Sequence, residues 1–85
     1  MEKFIEKYEK ELNETLDWII DVVAEAPDGY YAIDDKILYE GQISCEVNDY
    51  VLSTYEELSE DVQDQIIELV VDEYFKLDNG ELPRF

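Results

Sequence analysis

The chain has 85 residues, 24 of them Asp or Glu against 6 Lys or Arg, for a formal net charge of -18. That length allows one domain, 1–85, burying roughly 60% of its unfolded surface, and a hydrophobic fraction of 46% with clear periodicity excludes a disordered chain. A surface this acidic repels nucleic acid and anionic membranes and attracts basic proteins.

The first stretch, Glu2 to Glu25, reads as a long amphipathic helix. Phe4, Ile5, Tyr8, Leu12, Leu16, Ile19 and Val23 recur at helical spacing. Glu14, Asp17, Asp21 and Glu25 form an acidic row on the other side, with Trp18 and Val22 on the border. Ala26-Pro27-Asp28-Gly29 ends the helix, because the residue before proline disfavours the helical region.

The middle of the chain reads as sheet. Tyr30-Tyr31-Ala32-Ile33 and Lys36-Ile37-Leu38-Tyr39-Glu40 are strand candidates joined by a turn at Asp34-Asp35. Gly41 marks a bulge or break. In Gln42 to Val47 the alternation places Ile43, Cys45 and Val47 on one face, which makes Cys45 a small core hydrophobe. Asn48-Asp49 is a second turn, and Tyr50-Val51-Leu52 is a third strand or a lead into helix. Ser53-Thr54-Tyr55-Glu56 fits a capping box, with one helical turn running through Leu58.

The strongest helix signal is the last, Ser59 to Leu77. Val62, Ile66, Leu69, Val70 and Leu77 share a face, Ser59 is the N-cap, and Asp78-Asn79-Gly80 is the stop. Asp61, Asp64, Glu68 and Asp72 form a second acidic row on the opposite face. Glu73 falls near the apolar arc, at its rim. The tail from Glu81 to Phe85 either docks through Leu82 and Phe85 or frays. The order α-β-β-(β)-α predicts an α+β domain: two amphipathic helices packed on one face of a small antiparallel sheet of two or three strands.

Catalytic chemistry finds no foothold in the sequence. There is no histidine, Cys45 has no base beside it, and no serine sits in a nucleophile motif. No segment fits a calcium loop, since two residues and four residues beyond Asp34 stand Lys36 and Leu38. The reading is a non-enzyme without cofactor or dedicated metal. A single cysteine allows no internal disulfide and fits a reducing cytoplasm. Met1-Glu2-Lys3-Phe4 does not read as a signal peptide, and no apolar run approaches a membrane span.

The acidic rows carry the functional expectation. Between Glu11 and Phe75 the only base is Lys36. Like charges four residues apart destabilise a helix, so a chain that keeps them throughout has a use for them. Asp61, Asp64, Glu68 and Asp72 are the first candidates for contact with a partner, and Glu14, Asp17 and Asp21 the second. Tyr31 and Tyr39 beside Asp34 and Asp35 complete the set, because aromatics are enriched in contact hot spots.

In size, charge and lack of catalytic groups the chain resembles small phage or plasmid DNA-mimic inhibitors, anti-CRISPR and anti-restriction proteins among them. It also resembles acidic immunity proteins of nuclease toxins, to which the Tyr30-Tyr31 pair near acids is similar. The resemblance implies an inhibitor that blocks the nucleic-acid groove of a basic partner and binds neither nucleic acid nor membrane itself. The alternative expectation is a non-catalytic interaction module, a homodimer formed through Val71 and Phe75.

Overall fold

The computed structural model describes residues 2–76 and 85. Its elements are four helices: α1 (Glu2–Lys7), α2 (Glu9–Glu25), α3 (Lys36–Thr54) and α4 (Glu60–Phe75). No strand occurs among the described residues, so the expected α+β fold with its small sheet is wrong. Both hairpin strands, the Gly41 bulge, the Asn48-Asp49 turn and the third strand at Tyr50-Leu52 are replaced by one 19-residue helix and the loop before it.

The physical reason lies in the spacing of the apolar residues. Tyr39, Ile43, Val47, Val51 and Tyr55 recur every four residues, which on a helix is one continuous face. Ile43, Val47 and Val51 are completely buried and Tyr55 is nearly so. Cys45, which alternation places beside Ile43 and Val47, turns instead to the exposed side. Asp35 is the N-cap rather than a hairpin turn, its carboxylate accepting from Leu38 N–H at 3.1 Å. Ser53 does not begin a helix but sits in the last turn of α3, where its hydroxyl donates to the Asp49 carbonyl at 2.8 Å.

The first expected helix forms in two pieces. Tyr8 leaves helical geometry at φ -112°, ψ 22°, although Tyr8 N–H still donates to Phe4 O and Leu12 N–H to Tyr8 O. The α2 helix stops where the sequence indicates: Ala26 is extended ahead of Pro27, and Gly29 takes φ +83°, a conformation that costs glycine little. Ser59 caps α4 by accepting from Val62 N–H at 3.3 Å. The predicted stop at Asp78-Asn79-Gly80, together with Leu77 and Leu82, lies outside the described residues. Phe85 packs against the core, and its N–H donates to the Asn13 side chain at 2.9 Å.

Helices α2, α3 and α4 form an up-down-up bundle. Tyr39 at the start of α3 meets Tyr74 at the end of α4, and Gln63 at the start of α4 reaches Tyr55 just past α3, so these two run antiparallel. Trp18 stacks on Tyr50 with ring centroids 4.4 Å apart, while the Tyr55 hydroxyl donates to Glu14 at 3.0 Å; α2 therefore also runs against α3. The centre is filled by Leu12, Leu16 and Ile19 from α2, Ile43, Val47 and Val51 from α3, and Ile66 and Val70 from α4, all with no exposed surface. Each such side chain contributes about 1.5–3 kcal/mol on removal from water.

The buried face of α4 is turned slightly from the expected one. Gln63, Ile66, Val70 and Tyr74 are buried, whereas Val62 and Leu69 are half-buried. Gln63 tolerates burial because its amide donates to the Tyr55 carbonyl at 2.8 Å, one of the carbonyls left over at the end of α3. Thr15 is the matching case on α2, its hydroxyl donating to the Glu11 carbonyl at 2.8 Å.

Candidate partner-binding surface

Regular helix geometry fixes the acidic row of α4. At 100° per residue, Asp61, Asp64, Glu68 and Asp72 fall within an arc of about 80° and span roughly 16 Å along the axis. All four are exposed. Asp61 lies in the first turn, where the helix dipole favours an anion; Asp64, Glu68 and Asp72 follow at four-residue steps, where like charges oppose the helix by about 0.2–0.5 kcal/mol per pair. Glu73 is half-buried at the rim and pairs with Lys76 at 3.9 Å.

The row on α2 is less uniform. Glu14, Asp21 and Glu25 are exposed and Asp17 is half-buried. Glu14 is also committed locally, accepting from the Tyr55 hydroxyl and lying 4.0 Å from Lys10. Because α2 and α4 both oppose α3, the two rows run in the same sense. The carboxylates are spread out rather than focused: among the described residues no group of three or more Asp, Glu, Cys or His converges enough to hold a metal ion.

The tyrosines come together, but not on a hairpin. Tyr30 and Tyr31 make an edge contact at 4.9 Å, Tyr31 and Tyr39 at 6.2 Å, and Tyr39 meets Tyr74 and Phe75 at 6.4 and 5.5 Å. This file of rings joins the 27–35 loop to the end of α4. Tyr31 is buried and Tyr39 half-buried, so the members that face solvent are Tyr30 at one end and Phe75 at the other. The hydroxyls of Tyr39 and Tyr74 lie 2.6 Å apart. Burial, then the bond to Tyr39, pushes the Tyr74 phenol well above the ordinary tyrosine range; burial raises Tyr55 likewise. Tyr31 is raised by burial first and by the charge of Glu46 second. Asp34 and Asp35 are exposed beside this file, but Asp35 is occupied in capping α3.

Sequence reasoning missed a second feature of this end. Gln42 holds the loop onto α3 by accepting from Ala32 N–H at 2.8 Å. The fold-back leaves a surface groove of about 800 Å³, lined by Tyr30, Ile37, Leu38, Gly41, Cys45 and Glu46 among others. Its apolar walls face water: Tyr30 is 59% exposed, Leu38 54% and Ile37 85%. The signal for it was the seven-residue repeat Leu38, Cys45, Leu52, which becomes an outward stripe only once the segment is a helix.

No protein-family model, no curated protein and no solved structure matches this chain. No described helix is long and apolar enough to cross a membrane.

Proposed function

We propose that this protein is an acidic inhibitor acting in the cytoplasm, which binds a basic nucleic-acid-binding protein and blocks its nucleic-acid groove by presenting carboxylates in place of phosphates. A CRISPR effector, a restriction enzyme or a toxin nuclease is the class of target. The observation that carries this reading is the exposed row Asp61, Asp64, Glu68, Asp72 on one side of a 16-residue helix backed by a packed core. Its span of roughly 16 Å corresponds to about five phosphates along one DNA strand. The helix that carries the row is already formed, so binding costs side-chain ordering but little backbone ordering when a basic groove closes on it.

Partners are thus proteins, with neither nucleic acid nor membrane bound directly. The homodimer through Val71 and Phe75 draws less support. Phe75 already packs edge-on against Tyr39 and Tyr74, and two copies bring like charge together.

The test substitutes Asp61, Asp64, Glu68 and Asp72 together by Asn or Gln. These exposed positions tolerate the change, so the bundle is retained. Affinity for the isolated target falls at least a hundredfold, and the target recovers its nucleic acid in a mobility-shift assay. A quadruple variant that inhibits as well as the parent, or a stable ternary complex of target, nucleic acid and this protein, overturns the reading.

A further inference from the structure

We infer that the groove between the 27–35 loop and α3 is a docking site for an amphipathic helix of the partner, apolar along one face and edged with Lys or Arg. The inference deepens the proposed function, which it presupposes in requiring a basic partner. The acidic rows explain attraction but provide no apolar anchor, and anchors seated in pockets carry most of the energy in protein interfaces.

The apolar side chains at the groove are exposed and contiguous along α3. Leu38, Gly41 and Cys45 stand one helical turn apart, and Ile37 and Tyr30 widen the strip. Singly exposed apolar residues need no explanation, but a contiguous patch in a concave site marks an interaction surface. Gly41 adds a notch: a Cβ built there meets nothing within 4 Å, so a neighbouring backbone can approach closely.

Backbone geometry and charge select the occupant. Among the described residues there is no strand, hence no sheet edge for an extended peptide to join, whereas an apolar strip running along α3 in one-turn steps matches the one-turn spacing of anchors on an amphipathic helix. Charge then chooses its composition. Asp35 and Glu46 line the groove and Asp34 adjoins it, against the one base Lys36. A basic edge is attracted to this rim. A second copy of the chain, with a formal charge of -18, is repelled from it.

Cys45 lines the groove and is exposed, which supplies a reporter in the unaltered protein. The probe is a synthetic helical peptide of Leu and Lys in amphipathic order. One control replaces its Leu by Ser, and a second replaces its Lys by Glu. The leucine–lysine peptide is expected to slow alkylation of Cys45 by iodoacetamide at least tenfold, with neither control doing so. Its affinity is expected to fall at least tenfold in the double variant Ile37→Ser, Leu38→Ser, whose positions are exposed. The inference is overturned if no peptide protects Cys45, if either control protects it equally, or if the double variant binds as the parent does. It is also overturned if the protein alone sediments as a dimer at about 0.1 M salt with Cys45 already protected, since a second copy then fills the groove. The groove remains intact in the quadruple acidic variant, and the acidic row in the groove variant, so failure of one experiment is distinguishable from failure of the other.

Discussion

Two buried phenols, Tyr74 and Tyr31, stand in opposite situations. The Tyr74 hydroxyl shares a 2.6 Å hydrogen bond with Tyr39. The Tyr31 hydroxyl is buried and has no hydrogen-bond partner among the described residues. A made hydrogen bond contributes about 1 kcal/mol net, whereas a buried polar group without a partner costs about 1–3 kcal/mol. Tyr74→Phe is therefore expected to lower stability by about 1 kcal/mol, and Tyr31→Phe to leave it unchanged or raise it. Denaturant midpoints of the two variants check this, with the slopes unchanged. A larger loss from Tyr31→Phe than from Tyr74→Phe would contradict the hydrogen-bonding argument. Neither outcome is visible in the sequence, where Tyr30, Tyr31 and Tyr39 look alike; their difference arises from which helix each ring meets.

At the scale of elements, α3 differs from its neighbours. It has apolar residues on two sides, one against the core through Ile43, Val47 and Val51 and one outward through Leu38, Cys45 and Leu52. Gly41 lies within it with no structural demand for glycine, since its Cβ position is open. Gly41→Ala is expected to stabilise the free protein by about 1 kcal/mol through helix propensity, read as a higher melting temperature; destabilisation would show that the notch is needed for the fold itself. Helices α2 and α4 were legible because each presents one apolar and one acidic side. The α3 segment was not. Its Ile, Val and Tyr residues favour strands locally, Asp34-Asp35 and Asn48-Asp49 imitate turns, and a helix apolar on two sides also satisfies short-range alternation. The four-residue series from Tyr39 to Tyr55 outweighed those signals once α2 and α4 were present to cover it. The site divided the same way. The α4 row needed only periodicity to be seen, whereas the groove is made by a loop folding back on a helix, and the repeat from Leu38 through Cys45 marks only its helical wall.

For the whole molecule the relevant comparison is between its size and the range of its charge. The principal extents are 36 × 26 × 21 Å. The screening length is about 30 Å at 0.01 M salt and about 10 Å at 0.1 M. At the lower concentration every carboxylate feels every other across the bundle; at the higher one only carboxylates within about 10 Å of each other interact strongly. Stability is consequently expected to rise between these two salt concentrations, because self-repulsion of a chain with formal charge -18 is greatest in the compact state. The quadruple change at Asp61, Asp64, Glu68 and Asp72 removes four charges and the like-charge steps from Asp64 to Asp72, at the expense of the favourable Asp61 in the first turn. That variant is expected to melt at a higher temperature than the parent at 0.01 M salt and to gain less on going to 0.1 M. The measurement is a pair of thermal melts at each salt concentration. If the parent is no more stable at 0.1 M, repulsion is not a cost to this fold, and the argument that its acidic rows are kept for a partner loses its premise. If the parent gains and the variant gains less, the row is a feature that opposes folding while contributing nothing to the core. A charged surface maintained against that cost is the physical ground for seeking its use in binding.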